Sequence, residues 1–418
     1  MMKRNSFLTG LAAFGVSLTL KDAGWATDGA KSSDDSPVQI DADYPGGNIV
    51  VERVELGEGK VTLRPDLRDT EGWWFYWDFR VRGAQGRKLW FEFIDQAPIA
   101  ALGPAVSVDG GKTWRWLKQQ EGGKSFHYTF GAVESEARFS LGMTYTQIHW
   151  NEFLNSLEMR HPELVKTKLK REVLCQSRKG DEVPYYRLGS IEQEPKMRML
   201  ITARSHACEM MASYALEGII QAVLADSPEG SWLREKVEFL VVPFVDWDGV
   251  KAGDQGKNRR PRDHNRDYDE SSAHPETRAL QPLVSQWSRG KLKMSLDMHC
   301  PWVRGGMNEV IYFVGNKDPR NQPEEEKFGK MLEKLNSGRL PYRQSDDLPF
   351  GQGWNVASSF SAGRKNSDWA RTLDGIRLAA TMELPYAVAS GVEVTAESAR
   401  ELGNQLAKAI EAYLKELE

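Results

Sequence analysis

The chain predicts two parts of different class: an antiparallel β-sandwich over residues 37–148, then an α/β domain, a mixed sheet flanked by helices, over residues 149–418. Two textures carry the division. The first stretch holds short aromatic and β-branched runs between glycine-rich turns, whereas the second alternates apolar strand-like runs with segments of helical period. A third observation bears on the second part. Three of its apolar runs finish beside a histidine or an acidic residue, and open α/β sheets hold their ligand sites at the carboxyl ends of strands.

The elements follow in order. Residues 1–4 are basic, residues 7–20 are largely apolar, and Gly24 and Ala26 are small, which together read as a secretory signal over residues 1–26. The apolar run, at about 14 residues, is too short for a membrane span, which needs ~20. Export to the periplasm or outside is therefore expected, the alternative being a cytoplasmic protein with an apolar leader helix. Residues 27–36 are polar and read as a disordered linker. Strands are expected at 48–54, 73–81, 89–94, 126–130 and 137–141. Between them, residues 107–114 resemble the Asp-box hairpin of sialidases and other glycan-active proteins, in which aspartate and glycine make the turn and tryptophan packs beneath.

The boundary falls at 145–150, before the helical pattern of Phe153, Leu154 and Leu157. Residues 196–203 form an apolar run of strand length, and Met211, Ala215, Leu216, Ile219, Ile220 and Val223 then recur at helical spacing. Residues 293–298 and 378–384 are two further strands, and residues 396–417 a closing amphipathic helix with Thr395 as its N-cap.

The chemistry lies at the strand ends. His206 and Glu209 stand three apart, so on a helix they share a face and can reach one metal ion. His299 closes the second run and would be a third ligand, and three protein ligands leave a zinc ion a position for water. Glu383 sits inside an apolar run, where a carboxylate is costly without a partner. It can serve as a general base.

Five pieces in this order carry a family likeness: residues 205–209, 248–253, 263–268, Asp297 with His299, and Thr381 with Glu383. They resemble the zinc metallocarboxypeptidases of the M14 (funnelin) type, most of all the cytosolic carboxypeptidase subgroup, which carries a β-sandwich ahead of a carboxypeptidase-type catalytic domain. The resemblance implies one Zn2+ per chain held by His206, Glu209 and His299, with Glu383 as the general base. It makes Asn265 and Arg266 the clamp on the substrate's terminal carboxylate, and Asp263 the acid that orients His206. An arginine that polarises the scissile carbonyl should precede them, and either Arg259 or Arg260 could serve. Arg371 matches a residue that selects acidic side chains, its other reading being an exposed arginine. The family's mobile tyrosine has no clear match, since residues 341–383 contain only Tyr342, leaving Trp354, Phe360 and Trp369 as candidates for the cap.

A zinc-dependent hydrolysis of the C-terminal peptide bond is therefore expected, acting on peptide or protein tails, with acidic C-terminal residues preferred. Two alternatives stand beside it: an exported zinc amidase of cell-wall peptides, and a glycan-binding protein with an idle catalytic-like domain. No ligand, base or clamp residue is missing, which argues against idleness. The basic stretch 256–266 has no interleaved aromatics, so nucleic acid is not an expected partner, nor is stable membrane insertion. The net charge of -4 names no partner, and 418 residues suit two domains. Three cysteines are too few for a disulfide scaffold. Cys208 and Cys300 flank the ligands and would form either a disulfide or two buried thiols.

Overall fold

The computed structural model describes residues 37–72, 74–360 and 362–418. The expected signal and linker, residues 1–36, and Trp73 lie outside the described residues.

Nine strands come first: β1 (Gln39–Asp41), β2 (Val50–Glu55), β3 (Lys60–Arg64), β4 (Asp78–Arg82), β5 (Lys88–Phe93), β6 (Ala105–Ser107), β7 (Arg115–Trp116), β8 (Ser125–Thr129) and β9 (Glu136–Ser140). They form two sheets, ordered β1-β4-β9-β6-β7 and β2-β3-β5-β8. Burial alternates along β3 and β5, the period-2 pattern of a strand with one inward face. The inward residues are aromatic: Phe79 of β4 lies 5.4 Å from Phe91 of β5, and Phe139 of β9 lies 5.4 Å from Phe126 of β8, ring centre to ring centre. One pair departs from the antiparallel expectation, since β3 and β5 run parallel. The chain crosses to the other sheet for β4 and returns in the same direction.

The aromatic run before β4 also departs from expectation, because the strand begins only at Asp78. Trp74, Phe75, Tyr76 and Trp77 are buried but serve as a tie between the two parts of the chain. Phe75 packs edge-on against Tyr386 at 5.9 Å, and the Tyr76 N–H donates to Gln255 Oε1 at 2.9 Å. The Asp-box closes on itself: Asp109 Oδ1 accepts from the Lys112 and Thr113 N–H groups at 3.1 and 3.0 Å, and Trp114 Nε1 donates to the Gly111 carbonyl at 3.0 Å.

Helices α1 (Gln147–Arg160) and α2 (Pro162–Lys168) lead into the second part, which contains β10 (Leu169–Gln176), β11 (Glu182–Gly189), β12 (Met197–Ala203), α3 (Met210–Leu224), α4 (Pro228–Lys236), β13 (Val237–Val242), α5 (Trp247–Ala252), α6 (Pro275–Ser288), β14 (Leu292–His299), β15 (Tyr312–Phe313), α7 (Gln322–Leu335), α8 (Asn366–Ala370), β16 (Leu378–Glu383) and α9 (Ala396–Lys415). Their sheet is mixed, in the order β10-β11-β13-β12-β14-β16-β15, with β13, β12, β14 and β16 parallel. Every residue of β12, β13 and β16 is buried, as expected of parallel strands covered on both faces. Thr395 caps α9, its hydroxyl accepting from the Ser398 N–H at 3.1 Å. Helices α3 and α9 cross closely at glycines: a Cβ on Gly403 would stand 2.0 Å from the Ala215 carbonyl oxygen. A continuous apolar core joins the aromatic residues of the first two sheets to β12, β14 and α9.

Candidate active site

The sheet register sets the site. Ala203 pairs with Met298, Met298 with Met382, and His299 with Glu383, so β12, β14 and β16 end side by side. His206 and Glu209 sit just beyond β12, but on a tight turn, since α3 starts only at Met210. The turn is shaped by two neighbours. The Arg204 guanidinium is buried and donates to the Ala207 and Tyr145 carbonyls and to Ser213 Oγ, the latter two at 2.9 and 3.0 Å. From the other side, the Cys208 N–H donates to the Gln255 carbonyl at 3.1 Å, and Gly256, at φ +85°, comes so close that a Cβ there would lie 2.4 Å from Ala207 N.

His206, Glu209 and His299 converge. Both Nδ1 atoms face the one carboxylate, His206 at 2.8 Å from Oε1 and His299 at 2.8 Å from Oε2 of Glu209. One ligand-type atom from each lies within 4.8 Å of the others. The far ring nitrogens meet two acids: His299 Nε2 lies 2.6 Å from Asp297 Oδ2, and His206 Nε2 lies 3.5 Å from Asp263 Oδ1. Thr202 Oγ1 donates to Asp297 Oδ1 at 2.6 Å and fixes that carboxylate in turn. Two imidazoles and a carboxylate, each imidazole backed by an outer acid, are a donor set that fits zinc. Burial alone would raise the Asp263 carboxyl, but His206 beside it holds it well below the usual carboxylate range.

Glu383 is 7% exposed, and its Oε2 has no hydrogen-bond partner. Burial raises its pKa, against the pull of His299 and Lys257. Asn265 reaches the same place, its Nδ2 3.3 Å from His299 Nε2 and its Oδ1 accepting from the Asn366 N–H at 3.1 Å. Arg266 is half-buried, donates to the Asn265 carbonyl at 3.0 Å, and lies 4.7 Å over the Phe360 ring. Phe360 and the exposed Trp354 are 6.4 Å apart, whereas Trp369 is buried against Tyr268 and is removed from the cap candidates.

Three of the candidate residues are engaged with other groups. Arg259 is surrounded by acids, with Asp246 at 2.7 Å, Asp254 at 2.6 Å and Asp69 at 3.0 Å. Arg260 projects into solvent and pairs with Glu71. Neither charge is left for a substrate carbonyl. Arg371 donates to the Ile376 carbonyl at 3.2 Å and lies 3.6 Å from Asp318. Its guanidinium therefore turns to the start of β16, whereas Glu383 ends that strand.

Lys257 was not singled out by spacing, yet its Nζ lies 2.7 Å from Glu209 Oε1 and donates to the Cys300 carbonyl at 2.9 Å. The available signal was its place between Gly256 and the two arginines. Cys208 and Cys300 are buried free thiols, so the disulfide alternative falls away. A second group, His264, His274 and Glu276, is also clustered. Its imidazoles stack at 3.7 Å, ring centre to ring centre.

The profile of the zinc carboxypeptidase (peptidase M14) family matches residues 150–405. The chain belongs to this family. Among curated proteins it is similar to cytosolic carboxypeptidase 2 of Danio rerio, 26% identical over 276 residues, covering 58% of this chain and 38% of the relative. It is also similar to cytosolic carboxypeptidase 6 of Homo sapiens, 23% identical over 320 residues, covering 70% of this chain and 62% of the relative. The chain thus spans less than two thirds of these relatives' length. In fold it is similar to a metallo-carboxypeptidase from Burkholderia cenocepacia (TM-score 0.74, 18% identical, 91% of this chain and 100% of that one). A metallo-carboxypeptidase from Pseudomonas aeruginosa is comparable (TM-score 0.71, 21% identical, 91% and 100%). The expected export is corrected by the curated relatives, which are named as cytosolic.

Proposed function

We propose that this zinc carboxypeptidase family member removes a residue from the C-terminus of peptide or protein tails, with a β-sandwich domain (37–148) ahead of a catalytic domain (149–418). The observation that carries this reading is the convergence of both Nδ1 atoms on Glu209 beside the unpaired Oε2 of Glu383. His206, Glu209 and His299 would hold Zn2+, which when bound supplies a Lewis acid and makes water acidic near pH ~7.

Glu383 takes a proton from the water that attacks the scissile carbonyl carbon and passes it to the departing amine nitrogen. The C–N bond breaks, the water oxygen stays in the new carboxylate, and one water is consumed. Glu383 suits this exchange because burial raises its pKa, which makes the carboxylate a stronger proton acceptor. Asp297 and Asp263 hold the imidazoles with Nδ1 inward. Arg266 offers a planar fork to the terminal carboxylate, and Phe360 lies against its face. Asn265 adds an amide beside it.

Any preference for acidic C-terminal residues is assigned to Lys365 in place of Arg371. Lys365 is 2% exposed and lies 4.8 Å over the other partner of Arg266, the Phe360 ring. The test is an assay of zinc-loaded wild type and Glu383→Gln against peptides differing only in the last residue. Release of that residue by the wild type alone supports the reading, and a zinc-loaded wild type that cleaves none of them removes it.

A further inference from the structure

We propose that Lys257 is the catalytic cation of this site, the group that meets the negative charge developing on the scissile carbonyl oxygen. The inference rests on the peptidase reading above and adds a residue to it. Position comes first. Lys257 follows Gly256, whose close approach to Ala207 pins the loop against the ligand turn. Its Nζ is held between Glu209 Oε1 at 2.7 Å and the carbonyl of Cys300, the residue after His299, at 2.9 Å. The ammonium therefore stands against one candidate ligand and the backbone that follows another, within the electrostatic reach of Glu383. The nearby arginines cannot replace it, because Arg259 is shared among three carboxylates and Arg260 points into solvent.

Charge then decides between a brace and a catalyst. An ammonium beside a carboxylate that must also hold a dication opposes metal binding, since like charges at such range repel. Lys257 is thus a poor device for retaining the metal. It is well placed for an anion formed at the same spot. An ammonium has three donors. With Glu209 committed to the metal, one N–H can keep the Cys300 carbonyl while the others turn to the substrate oxygen. The flexible lysine stem permits that small movement.

The test uses the full chain as wild type, Lys257→Met and Lys257→Arg. Zinc affinity is measured by chelator competition, alongside kcat and KM on a C-terminal peptide. Binding of a phosphonate peptide, whose anionic oxygens replace the scissile carbonyl, is compared with binding of the released amino acid. Lys257→Met is expected to hold zinc at least as tightly as wild type. Its kcat should fall by about 10²–10³, as for loss of one charge-stabilising donor, with KM little changed. Phosphonate affinity should fall at least ~30-fold while affinity for the amino acid stays within a few-fold, and Lys257→Arg should recover most of both losses.

A fall in zinc affinity that accounts for the lost activity would make Lys257 a brace and overturn the proposal, as would equal weakening of phosphonate and amino acid. If wild type binds the phosphonate but cleaves no peptide, the peptidase reading fails while the phosphonate series still reports on Lys257. A wild type that neither cleaves nor binds overturns both.

Discussion

His299 and Glu383 are register partners at the carboxyl ends of the adjacent parallel strands β14 and β16. Paired residues on neighbouring strands project from the same face, so the sheet itself sets the candidate ligand beside the candidate base. Glu383→Gln keeps the shape and removes the proton acceptor. Zinc content and melting temperature should stay near wild type while kcat falls by about 10²–10⁴, the usual worth of a general base. A variant that retained a tenth of the wild-type rate would remove Glu383 from the chemistry.

The two acids behind the imidazoles should differ in weight. Asp297 contacts His299 at 2.6 Å and is itself fixed by Thr202, whereas Asp263 stands 3.5 Å from His206. Both Asp297→Asn and Asp263→Asn should weaken zinc binding, by about 10–100-fold for such outer partners, and Asp297→Asn should be the more severe. Chelator competition reads this directly, and metal removal from the wild type should abolish hydrolysis reversibly.

The proposed clamp and the proposed specificity residue should separate in kinetics. Arg266→Ala should raise KM by about 10–100-fold, since a charged hydrogen bond is worth ~1.5–3 kcal/mol. Arg371→Ala should leave the profile across C-terminal residues unchanged because that guanidinium is engaged with Asp318 and Ile376. Lys365→Met should reduce the rate on glutamate relative to leucine termini. An unaltered ratio would leave the acidic preference without a residue to carry it.

Sequence made the strands of the site legible because each is a largely apolar run with a ligand or base at its end or just beyond it, and because His206, His299 and Glu383 are chemically distinctive. It put the His206–Glu209 pair where a strand hands over to a helix, but could not tell a helical face from the tight turn that the pair occupies, since a spacing of three fits both. What distinguishes them is Gly256 pressing on Ala207 and Arg204 buried beneath, contacts between segments far apart in the chain. The same limit applies to the basic stretch. Arg259, Arg260 and Lys257 are all cations of one short stretch, and which of them is free of competing acids depends on the carboxylates that the fold puts around each. The aromatic run from Trp74 to Trp77 falls in a stretch that reads as strand, and nothing in its order marks it as the seam between the two parts.

Gly256→Ala tests how tightly that loop supports the ligand turn. The new Cβ would enter within 2.4 Å of Ala207 N, at a φ of +85° that L side chains rarely adopt. The turn or the loop must shift, at a cost of ~1–3 kcal/mol by analogy with overpacked sites. Lower thermal stability together with weaker zinc binding is expected. Loss of stability with unchanged zinc affinity would show that the loop does not support the ligands.

Away from the site, Asp78 gives a pH test of the first two sheets. Burial pushes its carboxyl up to about 7, although Thr144 and Tyr44 donate to it, Tyr44 at 2.6 Å. An acid raised on folding binds its proton more tightly in the native state. Its contribution is therefore fully present below the unfolded value, near ~3.9, and is lost as pH rises to about 7. At ~1.4 kcal/mol per pH unit the loss approaches about 4 kcal/mol as an upper bound. Asp78→Asn cannot titrate, so the stability difference between wild type and variant should shift against the wild type between pH 5 and 8. Denaturant midpoints at the two pH values measure the shift. A difference that stayed constant would mean that Asp78 is already ionised at pH 5 and that the hydroxyls of Tyr44 and Thr144 outweigh its burial.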